Sequence, residues 1–442
     1  MRPFALIGLA LVGLTLAGLA LHVPGEGIVG TPARQDALVA LMAVQAVLYV
    51  TAVRLVLRRP VVLWLVLVVA VAMRLPLLVS PPFLSSDINR YVWDGRVQVA
   101  GINPYRYVPD DPALAGLRDS PVYPHINRAD YATTIYPPAA QVIFAAVGAV
   151  WQSVYAIKAV MVLFEALAVF CLLRLLAIAG LPASRVLIYA WNPLAAWAFA
   201  GNGHIDAAAI GFLGLTFLLR VGRRYTLAGA IFGAAALVKF LPAVVAPALW
   251  RPRSAGWRVA SAALAVVAAL YALYASAGWQ VLGFLGGYGA EEGLDTGSGV
   301  WLLAALGTVV ALPAGAVVAY LASAACGLAL LGAWFAFRPH PPAGSAADAE
   351  RVCADAAVLM TAVTVAISPH YPWYFPWLAL PAVLAPWPAV VWLSVAPLLL
   401  YASPPETRFL WEAAIYLPAL LLALTALRRR TVSSVIALKG NA

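Results

Sequence analysis

Charge is scarce in this chain. Asp, Glu, Lys and Arg together make up 10% of its 442 residues, against about 25% in soluble domains. That excludes a water-soluble globule, which needs a charged surface. It also excludes a disordered chain, which needs high charge and few apolar residues. Cysteine is nearly absent: Cys171, Cys326 and Cys353 stand singly in apolar runs. They form neither an even disulfide set nor a paired zinc spacing and read as small core residues. No internal repeat and no low-complexity domain is visible, which speaks against a transporter built from repeated halves.

What is abundant is apolar. Hydrophobic residues make up 64% of the chain and the mean hydropathy is +0.90. Apolar runs fill nearly the whole length, so a single-span receptor is excluded as well. The fold class is an all-α, polytopic transmembrane helical bundle. The net charge of +10 is Arg at helix ends, the pattern that orients membrane helices, and not a nucleic-acid patch.

Spans are expected at 4–21, 37–57, 61–79, 155–176, 185–200, 207–219, 259–275, 314–337, 352–367 and 411–427. The first reads as an anchor helix and not a cleaved signal. The stretch 227–250 is broken at Lys239 and Pro242 and reads as a hairpin of two short helices. The stretch 373–402 is broken at Pro386-Trp387-Pro388 and reads the same way. Segment 137–151 is expected to lie on the membrane surface. Only then do Arg54/Arg58/Arg59, Arg174/Arg185, Arg220/Arg223/Arg224, Arg251/Arg253/Arg258, Arg338/Arg351 and Arg428–Arg430 all face the cytoplasm. About fourteen helices result, in one membrane domain over 1–442 with both termini inside. Its parts are two N-terminal helices in 1–60, an outer loop with juxtamembrane helices in 81–151, and a cytoplasmic linker at 338–351. The segments 81–135, 201–206, 277–300, 368–373 and 403–410 fall outside.

The first outer loop holds Asp87, Asp94, Asp110, Asp111, Asp119 and Asp130, six of only 18 acidic residues. Arg90, Arg96, Arg106, Arg118 and Arg128 balance them. Long ordered loops are usually functional. Asp87, Arg90, Tyr91 and Asp94 are spaced to share one helix face. That helix is expected to lie along the bilayer with Trp93 and Val97 dipping in; a solvated, ion-paired surface helix is the equal alternative. Further polar clusters are Thr133-Thr134-Ile135-Tyr136-Pro137-Pro138, Gly201-Asn202-Gly203-His204-Ile205-Asp206, and Glu291, Glu292 and Asp295 in a Gly-rich loop. The outer turn Ser368-Pro369-His370-Tyr371-Pro372-Trp373-Tyr374 combines His with aromatics. Lys239 lies at membrane depth, where an ionisable group is a functional candidate. Arg74 and Glu165, inside spans, are expected to be buried partners. An enzyme with a lipid-phosphate donor needs this set: a carboxylate to take a proton from an acceptor hydroxyl, cations for a leaving phosphate (Lys239 and Arg90, then His370 and His204), and aromatics for sugar faces.

The run Ser86-Asp87, Tyr91, Asp94-Gly95, Gly101-Ile102-Asn103-Pro104-Tyr105, followed by Tyr136-Pro137-Pro138, Asn192-Pro193 and Gly201-Asn202-Gly203-His204…Asp206, resembles the bacterial GT-C glycosyltransferases. It is most similar to the polyprenyl-phosphate-mannose-dependent mannosyltransferases, over roughly residues 60–380. The resemblance implies a GT-C bundle with a large outer loop and an inverting sugar transfer with Asp87 as catalytic base. The substrate-binding set it points to is Arg90, Tyr91, Asp94, Arg96, Tyr105, Tyr136, His204, Asp206, Lys239, His370 and Tyr371. The loop follows the third span here and the first in the family, which two extra N-terminal helices would explain. No cofactor is expected. Some relatives bind a divalent metal through a second acidic motif, but His204-Ile205-Asp206 offers one carboxylate. The implied partners are a lipid-linked sugar donor, a glycolipid, glycan or protein acceptor, and membrane lipids. The implied location is a bacterial plasma membrane with the site on the extracytoplasmic side. A lipid-linked oligosaccharide transferase and a transporter are the rival readings.

Overall fold

A computed structural model describes residues 1–23, 31–402 and 408–440. Residues 403–407, within the outer loop expected at 403–410, lie outside the described residues, as do the side chains of Arg428–Arg430. The regular secondary structure of the described residues is all helical, with no strand among them. The principal helices are α1 (Arg2–Ala20), α2 (Pro32–Arg58), α3 (Leu63–Val79), α4 (Asp87–Val99), α5 (Pro138–Val150), α6 (Val154–Ile178), α7 (Asp206–Val221), α8 (Tyr225–Val238), α9 (Arg253–Leu273), α10 (Ala316–Phe337), α11 (Ala346–Ile367) and α12 (Arg408–Gly440).

Six of the described helices are long and apolar enough to cross a membrane, or seven if one bent pair counts as a single span. The expected count of about fourteen is therefore not confirmed. One difference is the span expected at 185–200, which is a chain of short turns. Pro193 lacks an N–H and interrupts the helix, and the Asn192 side chain accepts from the Ala195 N–H at 3.1 Å to start the next turn. After Gly201 the chain bends by 119° into α7. The breaks near Lys239 and at Pro386-Trp387-Pro388 fall where proline predicts.

Several polar side chains inside the bundle are paired, as a low-dielectric interior favours. Arg74 of α3 donates to both oxygens of Glu165 on α6, at 3.1 and 2.7 Å, and to the Ala190 carbonyl at 2.7 Å. Gln45 of α2 donates to the Thr15 hydroxyl at 2.9 Å and accepts from the Trp197 indole at 2.9 Å. Tyr49 donates to the Ile188 carbonyl at 2.6 Å. The N-terminal helices are thus tied into the core.

Helix α4 is not laid along a surface. Trp93 and Val97 are buried, and so are Arg90, Tyr91 and Asp94. The loop between α4 and α5 folds over one side, where Tyr123 meets the Trp93 ring at 5.6 Å, and α5 covers another. Two glycines permit that contact: a Cβ on Gly95 would lie 2.4 Å from the Phe144 carbonyl oxygen, and one on Gly148 would lie 3.0 Å from the backbone of Gly95. The amphipathic spacing is real, but both faces of the helix have protein against them.

Charged groups gather at two opposite ends of the bundle. Helix α7 runs from Asp206 to Arg220 and α11 from Asp348 to the turn before His370, so each spans about 1.5 Å per residue between the two ends. At one end Arg220 and Asp348, both fully buried, meet at 2.5 Å, Arg338 pairs with Asp355, and Arg223 donates to the Ala343 carbonyl. The other end carries Asp87, His204, Asp206, Lys239 and His370. Single cysteines at Asp111 and Arg223 are predicted to react with a membrane-impermeant thiol reagent from opposite sides, Asp111→Cys from outside in intact cells. Labelling of both from one side would overturn the orientation.

Candidate functional site

The polar clusters separated in sequence converge on one cavity of about 700 Å³, within the usual range for small-molecule sites. Its walls come from the start of α4, the outer-loop residues Asn127 to Pro137, the turn at Lys239, the segment around Tyr288 and the turn His370 to Tyr374. Gln35 of α2 also lines it and donates to the Tyr401 carbonyl at 2.9 Å.

Asp87 is the first residue of α4, where its carboxylate meets the positive end of the helix dipole. The Asn202 side chain holds the preceding residues by accepting from the Phe83 and Leu84 N–H groups at 3.2 and 2.8 Å. Gly203, at φ 68°, brings that turn against α4, and a Cβ there would stand 2.4 Å from the Ile88 Cδ1 atom. The Asp87 side chain keeps 19% exposure. Asn127 donates to its Oδ1 at 2.9 Å, and the His204 Nδ1 atom is 3.8 Å from its Oδ2. Burial pushes the Asp87 pKa above the usual carboxylate value, and the Asn127 hydrogen bond and the positive charges of Lys239 and Arg128 oppose that rise.

Lys239 ends α8 and projects into the cavity. Its ammonium donates to the Asp206 Oδ1 atom at 2.6 Å and lies 3.4 Å from the centre of the Tyr374 ring, a cation–π contact. His204 is fully buried, stacks on Trp373 at 3.9 Å, and has no hydrogen-bond partner at either nitrogen. Tyr371 stacks on the same Trp373 ring at 4.7 Å. His370 is bound to Glu412 through Nδ1 at 3.1 Å and to the Glu292 carbonyl through Nε2 at 3.3 Å.

Of the residues singled out in the sequence, Asp87, Arg90, Tyr91, Tyr136, Lys239, His370 and Tyr371 line the cavity. The others stand behind the wall. His204 and Asp206 back Asp87 and Lys239. Asp94 is buried, accepting from Arg90 at 2.9 Å and from Gln141 at 2.8 Å. Arg90 also donates to the Ala132 carbonyl at 3.1 Å, so its guanidinium is engaged by protein at the cavity wall. Arg96 points elsewhere, donating to Asp119 at 2.6 Å and to the Leu117 carbonyl at 3.0 Å. Tyr105 donates to the Tyr136 carbonyl at 2.7 Å, and Asn103 donates to the Ser276 hydroxyl at 2.9 Å. Direct substrate contact, expected of Asp94, Arg96 and Tyr105, gives way to bracing of the loop. Helical spacing reports a shared face but not which neighbour covers it.

Asn127, Arg128, Tyr131 and Tyr288 line the cavity without having been singled out for it. Asn127 has no distinguishing sequence context. Arg128 was visible only as one loop charge among five, and its left-handed backbone, at φ 56°, is a conformation uncommon for a bulky residue and frequent at functional sites.

Helices long and apolar enough to cross a membrane, and a polar, aromatic-walled cavity beneath a long loop, fit a membrane glycosyltransferase of the GT-C type. A family model described as alpha-(1->6)-mannopyranosyltransferase, N-terminal domain (MptA_B family), matches residues 27–251, half of the chain, and the chain belongs to that family. The match takes in α2 as well as the outer loop and α7. No curated protein and no solved structure matches the chain.

The burial of Asp94 changes the expected effect of its removal. An exposed ion pair contributes about 0–1 kcal/mol. Asp94→Ala leaves Arg90 buried without its counter-charge, which is predicted to cost about 3–5 kcal/mol. Denaturant or thermal unfolding of the purified variant in detergent measures this, and an unchanged midpoint would contradict it.

Proposed function

We propose that this mannosyltransferase takes mannose from a polyprenyl-phosphate donor and passes it, with inversion, to an acceptor hydroxyl. The reaction is placed at the extracytoplasmic face of a bacterial plasma membrane. The observation that carries the reading is the meeting of one partly exposed carboxylate, Asp87, with the cationic groups of Lys239 and Arg128 on the walls of one cavity.

The chemistry follows from that arrangement. The Asp87 carboxylate takes the proton from the acceptor hydroxyl as its oxygen attacks C1 of the donor mannose. The bond from C1 to the phosphate oxygen breaks, and the phosphate leaves as an anion without needing a proton. Lys239 and Arg128 supply fixed positive charge where negative charge develops. A single displacement that forms an α linkage requires a β-linked mannosyl phosphate, so the donor is assigned that configuration. The family description, α-(1→6), points to a primary hydroxyl as the nucleophile. The tail of the donor lies between helices, and the acceptor, a glycolipid, a glycan or a glycosylated protein, arrives from the aqueous side. Stacked rings such as Tyr371 on Trp373 provide a face for sugar C–H groups.

A divalent metal does not fit beside Asp206. That carboxylate already meets the Lys239 ammonium at 2.6 Å, and a second cation there would be repelled. The transfer is therefore proposed to need no metal.

Asp87→Asn keeps the shape of the side chain and removes its basicity. It is predicted to fold and bind donor but to lose about 10²-fold or more in turnover, the scale of a general base. Near-normal turnover would remove Asp87 from that role. The raised pKa of Asp87 places the acid limb of the pH–rate profile above the usual carboxylate range, because activity requires the deprotonated form. Asn127→Ala removes a hydrogen bond to the charged form, so the limb is predicted to move to still higher pH; a shift to lower pH would contradict the assignment. Transfer is predicted to persist in excess EDTA, whereas a loss restored by Mg²⁺ or Mn²⁺ would make Asp206 a metal ligand.

A further inference from the structure

Three cationic side chains line the cavity, and they are neutralised in different ways. Arg90 is locked against Asp94 within its own helix. Lys239 is held by Asp206, a carboxylate fixed at the start of α7. Arg128 is paired across two outer loops with Glu291, Nε to Oε2 at 2.6 Å, and Tyr131 donates to the other oxygen of Glu291 at 2.8 Å. Both partners of this pair keep solvent contact, 23% for the Arg128 side chain and 29% for Glu291.

Glu291 ends the short helix Leu285–Glu291, and that helix sits in a segment containing Gly283, Gly286, Gly287, Gly289 and Gly293. Glycine disfavours helix by backbone entropy, so side-chain and loop contacts hold the segment in place. Beside the Arg128–Glu291 pair, the Phe284 N–H donates to the Thr134 carbonyl at 3.2 Å, the Phe284 and Tyr131 rings meet at 5.6 Å, the Arg128 guanidinium lies 5.7 Å from the Tyr288 ring, the Tyr288 and Tyr374 hydroxyls meet at 3.2 Å, and the Glu292 carbonyl meets His370. The Arg128–Glu291 pair is the closest ion pair of this set, at 2.6 Å.

We propose that Arg128 is a binding group for the donor phosphate and that Glu291 occupies its place until donor arrives. The inference rests on the reading of the donor as a lipid phosphate. A phosphate offers Arg the same planar, charge-assisted pairing as a carboxylate. It can therefore replace Glu291 without leaving the guanidinium unpaired. Replacement releases the glycine-rich segment at its charged contact and uncovers the aqueous side of the cavity. Donor binding thus precedes and promotes acceptor access, and the free enzyme keeps its cations covered. A state in which Arg128 is masked lowers the apparent affinity for donor by the fraction of molecules masked.

The test uses the full chain in detergent and a short isoprenyl phosphate, geranylgeranyl phosphate, with geranylgeraniol as neutral control and inorganic phosphate as competitor. Glu291→Gln is expected to tighten isoprenyl-phosphate binding by about threefold or more, and Tyr131→Phe to tighten it by less. Arg128→Gln is expected to weaken it by about 10-fold, with geranylgeraniol binding unchanged in all three. Competition by inorganic phosphate alone identifies the headgroup as the recognised part. Binding unchanged or weakened in Glu291→Gln overturns the proposal. If Arg128→Gln does not fold, the two other variants decide the matter. Wild-type transfer from lipid-phosphate mannose, with Glu291→Gln unchanged in affinity, sinks this inference alone. The expected binding pattern combined with transfer only from a nucleotide-linked mannose sinks the functional reading and leaves the anion site standing.

Discussion

The Lys239–Asp206 ion pair is the contact on which the site depends. An ammonium at the end of one helix and a carboxylate at the start of another are each too costly to bury alone. Joined at 2.6 Å, they fix the turn after α8 against the first residue of α7. That join requires the sharp bend after Gly201, and the bend in turn supplies Asn202, which clamps the residues before Asp87, and Gly203, which packs against Ile88 just after it. His204 comes with the same turn and fills the space between Asp87 and Trp373. One buried pair thus sets the position of the carboxylate, of the Lys239 cation and of the aromatic stack together.

The architecture around this pair explains why so much of the outer loop is ordered. Arg90, Asp94, Gln141 and Thr134 form a connected hydrogen-bond network that binds α4 to α5. Tyr105 and Asn103 extend it to Tyr136 and to the end of α9. None of these groups needs to touch substrate to matter, because Asp87 is positioned only as well as the helix that carries it. The N-terminal helices contribute in the same way, through Gln45 and Tyr49 in the core and Gln35 at the cavity.

Much of this was legible in the sequence. Low charge and continuous apolar runs specify a helical membrane protein, and Pro242, Pro386 and Pro388 mark two of the breaks, whereas the break at Pro193 was not anticipated. The motif at Asp87 and the cluster at 201–206 are recognisable, and the structure brings them together beside Lys239. The number of complete spans was not legible, because a half-helix buried in protein is as apolar as one that crosses the bilayer. The surface placement of α4 failed for a related reason: spacing at i, i+3 and i+4 identifies a polar face but not whether water or a folded loop lies against it. Arg128 and Asn127 were hidden because their value comes from long-range contacts, to Glu291 and to Asp87.

The central claim is that mannose arrives on a lipid phosphate and leaves it by a single displacement in this cavity. The most direct measurement is to give the purified protein radiolabelled β-mannosyl polyprenyl phosphate and, separately, a nucleotide-linked mannose, each with a mannose-terminated glycolipid acceptor, and to determine the anomeric configuration of the product. The account predicts an α-linked product from the lipid donor and none from the nucleotide donor. Transfer from the nucleotide donor alone, or a β-linked product from the β-linked lipid donor, would contradict it.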